Sequence, residues 1–115
     1  MPREIVFAPQ AAEDEKRLRA NERATVRHKI KQHLRHDATK TSRSRIKRLR
    51  GLKQPQYRLH VDDIRVFYDV TEEAVEILAI VPKAEAAAWL ERYGRPELED
   101  ESVEQSRTAK EGEKS

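Results

Sequence analysis

Between Tyr57 and Val81 three apolar segments are separated by connections so short that their pairing is nearly dictated. Tyr57 to Val61 alternates Tyr57, Leu59 and Val61 against Arg58 and His60. Ile64 to Val70 alternates Ile64, Val66, Tyr68 and Val70 against Arg65, Phe67 and Asp69. Val75 to Val81 is almost entirely apolar, as a central strand is. Only Asp62-Asp63 separates the first two segments, and only Thr71-Glu72-Glu73 the second two. Parallel strands need a long crossover, whereas two or three residues suffice for a hairpin. An antiparallel meander is therefore expected.

With Asp62-Asp63 as the whole turn, Val61 faces Ile64, His60 faces Arg65, Leu59 faces Val66 and Arg58 faces Phe67. One sheet face then carries Tyr57, Leu59, Val61, Ile64, Val66 and Tyr68, and can pack beneath helices. The other carries Arg58, His60, Arg65, Phe67 and Asp69. Like charges directly across a strand pair cost roughly 0.2–1 kcal/mol. A fold gains nothing by setting a protonated His60 opposite Arg65 unless an anion lies between them. One reading is a phosphate site, with Arg65 and Arg58 holding the group and His60 moving a proton. The other is an ordinary exposed face in which Asp69 pairs with Arg65.

The rest of the chain frames this sheet. Ile5 to Ala8 reads as a strand ended by Pro9. Gln10 to about His36 reads as a helical hairpin, with Asn21 ending the first helix or capping the second. In the second helix Val26, Ile30 and Leu34 recur at one face, while Arg23, Arg27, Lys29, Lys31 and Arg35 cover much of the remainder. The first helix is weaker, because Glu15 interrupts the stripe of Ala11 and Leu18. Asp37 to Arg45 is a loop, Ile46 to Leu52 a strand stopped by Gly51, and Lys53 to Gln56 a turn. Lys83 to Tyr93 is an alanine-rich helix ending at Gly94, on which Trp89 reads as a core or partner-contact residue. Residues 1–94 form the expected domain, and 95–115 an acidic, disordered tail.

The net charge of +3 conceals a segregation. Residues 16–65 hold 17 Lys or Arg against 4 Asp or Glu, and both flanks are acidic. Such a block points to a polyanion, RNA or DNA, as partner. Several other classes drop out. Without cysteine there is no disulfide framework and no thiolate nucleophile or metal ligand. No apolar run is long enough to span a membrane, and the first residues lack the apolar stretch of a secretory signal, so a cytoplasmic protein is expected. The three glycines are isolated, so no phosphate-cradling loop is present. His28, His33 and His36 have helical spacing but no supporting carboxylates, and read as solvated or interfacial.

Leu49-Arg50-Gly51, Tyr57-Arg58-Leu59-His60-Val61, Ile64-Arg65-Val66-Phe67-Tyr68, the apolar run Val75 to Val81 and Lys83 together resemble the RelE/ParE superfamily of bacterial toxins. The likeness spans about residues 3–93. It implies an α+β, RelE-like fold: an N-terminal strand, a helical hairpin packed on one face of a twisted antiparallel sheet, and a short C-terminal helix. It also implies a toxin silenced by a cognate antitoxin. In the RelE branch such a toxin cleaves mRNA on the ribosome through attack of a 2′-hydroxyl, without metal or other cofactor. By position the catalytic set is then Arg65 at the scissile phosphate, with Arg58, His60 and Lys83. Arg27, Lys31, Arg43, Arg45, Lys47, Arg48, Arg50 and Lys53 would dock on message and ribosomal RNA. Two positions depart from the RelE pattern: Ala84 stands where it has a second arginine, and Leu90 where it has a tyrosine. These departures leave open a ParE-like inhibitor of DNA gyrase, or a basic nucleic-acid-binding protein that has lost catalysis.

Overall fold

In a computed structural model, which describes residues 2–97, the chain runs β1 (Glu4–Phe7), α1 (Pro9–Arg17), α2 (Ala20–Asp37), β2 (Ile46–Arg48), β3 (Leu52–Gln54), β4 (Tyr57–Val61), β5 (Ile64–Val70), β6 (Ala74–Pro82), α3 (Lys83–Tyr93) and β7 (Arg95–Pro96). Five strands form the main sheet in the order β1-β6-β5-β4-β2. The β4–β5 hairpin has the expected register, Val61 to Ile64, His60 to Arg65, Leu59 to Val66 and Arg58 to Phe67. Asp62 makes the tight turn by adopting a φ of 52°, a conformation that Asp tolerates better than most residues.

The apolar face of the hairpin is the core. Leu59, Val61, Ile64, Val66 and Tyr68 pack against Val26, Ile30 and Leu34 of α2 and Ala11 of α1. Tyr68 is fully buried, stacks on Tyr57 at 5.4 Å and donates its hydroxyl to the carbonyl of Ala38 at 2.7 Å. That bond satisfies the phenol in a site where an unpaired hydroxyl would be costly.

The opposite face is only partly covered. Phe67, Ala79, Val81 and Ala86 form a second, smaller core, with Leu49, Trp89 and Leu90 packed against it. Trp89 of α3 stacks on Phe67 at 4.9 Å, with the rings 6° from parallel. Helices thus lie on both faces of the sheet, two on one side and α3 on the other.

Four details correct the sequence reading. The sheet is not wholly antiparallel, because β1 pairs in parallel with β6. The chain leaves β1, covers one sheet face with the helical hairpin and returns at the far edge as β2, which supplies the crossover that parallel pairing requires. The break between the helices falls at Leu18-Arg19, and Asn21 lies inside α2. Arg23 explains this placement: its guanidinium donates to the carbonyls of Glu15, Lys16 and Leu18 at 3.2, 3.3 and 2.9 Å, satisfying the end of α1. The strand expected over Ile46 to Leu52 ends at Arg48, and Leu52–Gln54, which joins its last residue to the start of the expected turn, forms β3 and pairs with β7. Arg95 and Pro96, expected in the tail, therefore belong to the ordered chain; the expected tail from 98 onward lies outside the described residues.

Glu15, the apparent flaw in the α1 stripe, is buried and gripped by Arg27, whose Nη2 donates to Oε1 at 2.8 Å while Nε lies 2.5 Å from Oε2. Only the former contact has hydrogen-bond geometry; Oε2 is held by charge. Asp14, also buried, accepts from the Ile80 backbone N–H at 3.0 Å, where β6 runs beyond its pairing with β1.

Candidate active site

Strand alternation and the hairpin register put Arg58, His60 and Arg65 on the face that α3 only partly covers. Lys83 joins them from the first residue of α3, whose backbone N–H donates to the Asp63 carbonyl at 2.6 Å. That bond ties the helix start to the hairpin turn. All four residues of the expected catalytic set therefore converge, carried by two strands and a helix start.

The electrostatics of this cluster are unusual. The His60 imidazole is pushed down to about 4, first by burial and then by the positive fields of Arg65, Arg58, Lys47 and Lys83. Burial, followed by the field of Arg65, also lowers the Arg58 guanidinium from its ordinary value. At neutral pH His60 is thus uncharged, and the repulsion expected from a protonated ring opposite Arg65 is avoided by holding the proton off. Nε2 of His60 and Nε of Arg58 are buried without a hydrogen-bond partner. Arg65 is buried too, and spends one Nη on the carbonyls of Asp62 and Ile64 at 2.8 and 3.1 Å.

Asp69 does not neutralise the cluster. Its carboxylate accepts from the Gln54 side chain at 2.6 Å and the Gln56 backbone N–H at 2.8 Å. Among the described residues no ion pair involves Arg58, His60, Arg65 or Lys83; the three present join Lys16 to Glu13, Arg17 to Asp14 and Arg27 to Glu15. Buried polar atoms are ordinarily partnered. A cluster of converging cations with unpartnered polar atoms is suited to an oxyanion such as a phosphate group.

The wider basic set divides. Lys47 pairs across from Arg58 in the β2–β4 register, so it shares the cationic face, and it contributes to the field at His60. Sequence reasoning placed it only among the docking residues; the signal was the alternation of buried Ile46 with Lys47. Arg48 lies over the Tyr57 ring, its guanidinium carbon 5.2 Å from the centroid, and donates to the Gln56 carbonyl at 2.8 Å. Arg27 is exposed, is engaged by Glu15 and lies 5.1 Å over the Phe7 ring, on the α1–α2 side of the sheet and away from α3. Lys31 is exposed on α2, and Arg43, Arg45, Arg50 and Lys53 are exposed on the loops and β3. The structure does not gather these eight residues on one surface.

The two departures from the RelE pattern have a structural context. Leu90 packs into the second core, where an apolar group is needed, and Ala84 is exposed on the first turn of α3. An aromatic column, Phe67, Trp89 and Tyr93, continues along this face, with Trp89 and Tyr93 5.5 Å apart. It borders a cavity of about 250 Å³ lined by Gln10, Gln54, Pro55, Leu78, Trp89 and Tyr93.

The sequence matches the model of the family described as ParE toxin of type II toxin-antitoxin system, parDE, over residues 5–87. The chain belongs to that family, within the RelE/ParE superfamily. No curated protein sequence matches it significantly.

Solved structures agree on the fold. A chain of the RelB-RelE antitoxin-toxin complex from Methanococcus jannaschii is 15% identical, with a TM-score of 0.58 over 73% of this chain and 96% of that one. For the archaeal RelE-RelB complex from Pyrococcus horikoshii OT3 the identity is 19% and the TM-score 0.59, covering 72% and 97%. The E. coli DinJ-YafQ toxin-antitoxin complex gives 18% and 0.56, covering 76% and 97%. The three helices on a mostly antiparallel sheet are a RelE-like fold. No helix among the described residues is long and apolar enough to cross a membrane.

Proposed function

We propose that this toxin is a ribosome-dependent mRNA endoribonuclease that arrests translation. The observation that carries the reading is the convergence of Arg58, His60, Arg65 and Lys83 on one face with no carboxylate neutralising them among the described residues. Guanidinium and ammonium groups there would hold the scissile phosphate and stabilise the charge that builds up as the 2′-oxygen attacks phosphorus. The new 2′-O–P bond forms as the P–O5′ bond breaks, leaving a 2′,3′-cyclic phosphate and a 5′-hydroxyl. The 2′-hydroxyl proton leaves to a base, and the 5′-oxygen takes up a proton. His60 suits the first role because it is neutral at pH 7 with Nε2 free, and a bound phosphate raises its basicity from the low value of the empty site.

The same cation cluster suits a cognate antitoxin, whose acidic or amphipathic segment would cover it and silence the toxin. The neighbouring structures, several of them toxin-antitoxin complexes, support that partner.

Induced expression without antitoxin, followed by primer extension on abundant messages, tests the reading. Cleavage within reading frames is expected, and its loss in Arg65→Ala. Growth arrest with intact mRNA would overturn it. That outcome would favour the second reading, inhibition of DNA gyrase, which is motivated by the match to the ParE family and by Ala84 and Leu90. Early induction of the DNA-damage response with translation unaffected would mark it.

A further inference from the structure

The cationic face is longer than one phosphate needs. Two rows of side chains cross it at right angles to the strands. His60 on β4 and Arg65 on β5 form one row, next to Lys83. Lys47 on β2 and Arg58 on β4 form the other. Two residues along a strand separate the rows, a distance of about 7 Å. This is on the scale of one nucleotide step in an extended single strand. Lys47 is exposed and β2 is the sheet edge, so among the described residues no further strand covers that row. Arg58 has a buried Nε without a partner, and Phe67, opposite it on β5, is apolar. The next polar group of this face along β5, Asp69, is occupied by Gln54 and Gln56.

We propose that Lys47 and Arg58 form a second phosphate subsite, holding the phosphodiester adjacent to the one held by His60, Arg65 and Lys83. Arg58, two residues from His60 on β4, links this row to the other along the strand. The ligand class is a single-stranded RNA segment with two consecutive phosphodiesters crossing β5, β4 and β2. This rests on the ribonuclease reading and deepens it. Lys47 also gives a fourth cation, beside Arg58, Arg65 and Lys83, to a site that carries Ala84 where the RelE pattern has an arginine.

The test compares binding of a dinucleoside monophosphate and a trinucleoside diphosphate, each with 2′-deoxyribose at the cleavable position, to the full chain by NMR titration. The wild type is expected to bind the trinucleotide about tenfold more tightly, the scale of one charge-assisted contact. Lys47→Ala should erase that advantage while leaving dinucleotide binding unchanged, and Lys47→Arg should keep it. The salt dependence of trinucleotide binding, as the slope of log K against log salt, should fall by about 0.7 in Lys47→Ala. Lys16→Ala removes the same unit charge from the exposed α1 surface and should change neither ligand. Equal weakening of both ligands by Lys47→Ala would reduce Lys47 to a diffuse field, and no weakening of either would remove it from the site; each overturns the subsite alone. Wild-type binding of neither ligand, or dinucleotide binding unaffected by Arg65→Ala, would overturn the ribonuclease reading itself and the subsite with it.

Discussion

The two faces of the sheet treat buried charge in opposite ways. On the side of α1 and α2, Asp14 and Glu15 are buried carboxylates, and each is met: Asp14 by the Ile80 N–H and Gln10, Glu15 by Arg27. On the side of α3, Arg65 is buried and Arg58 and His60 are partly so, with donor atoms left over and no carboxylate turned toward them among the described residues. The first arrangement is what folding stability selects, since an unmet buried polar group costs about 1–3 kcal/mol. The second costs stability and has no structural return. Charges on the first face should therefore matter to folding and little to activity, and those on the second the reverse.

The largest expected effect breaks the second face. Arg65→Ala should lower RNA cleavage by about 10²–10³, the scale seen when one preorganised charge-stabilising donor is removed. Its unfolding free energy should fall by no more than about 1 kcal/mol, because two hydrogen bonds to Asp62 and Ile64 are lost while repulsion toward Arg58 is relieved. Primer extension and urea denaturation of the same preparation check both halves. A variant that simply unfolds would erase the contrast between the faces.

Asp14→Ala is the counterpart on the first face. It leaves the Ile80 N–H buried without its acceptor, and should cost about 1–3 kcal/mol in urea denaturation with cleavage by the folded fraction unchanged. Arg27→Ala leaves the buried Glu15 carboxylate unmet and should fall at the lower end of that range, about 1 kcal/mol, since Arg27 is half exposed and solvent screens much of its attraction for Glu15. Most of that difference should vanish in high salt. Normal stability of Arg27→Ala but weakened RNA binding would return Arg27 to the docking set.

How far this division was legible in the sequence depended on whether a feature is local. The hairpin register needed only the Asp62-Asp63 turn and the period of two, and those alone place Arg58, His60 and Arg65 on one face. The bounds of α3 followed from Lys83, the alanines and Gly94. The helix break did not follow, because it depends on Arg23 reaching back to three carbonyls of α1. That Lys47 shares a face with Arg58 did not follow either, because its face is set by pairing with β4, across the turn and β3. Glu15 looked like a flaw in an apolar stripe because its partner Arg27 is on another helix. Pairings between distant segments leave no periodic trace in the residues that make them.

The smallest effect at neutral pH is that of His60 on stability, and it becomes the sharpest test as the medium is acidified. An unfolded chain holds this imidazole near its ordinary 6.5, whereas the folded protein holds it at about 4. Between those values the unfolded state binds more protons, so stability falls as pH falls through that window, by at most about 1.4 kcal/mol per pH unit for the one site. At pH 7 both states are mainly neutral and the contribution is close to zero. His60→Gln should match the wild type near pH 7 and become the more stable of the two below pH 6. Every other titratable group is common to both proteins and cancels in the comparison. An anion bound among Arg65, Arg58 and Lys83 should raise the imidazole toward 6.5, so added inorganic phosphate should shrink the gap between wild type and variant. A gap that opens on acidification and is indifferent to phosphate would mean that the cations depress His60 without forming an anion site.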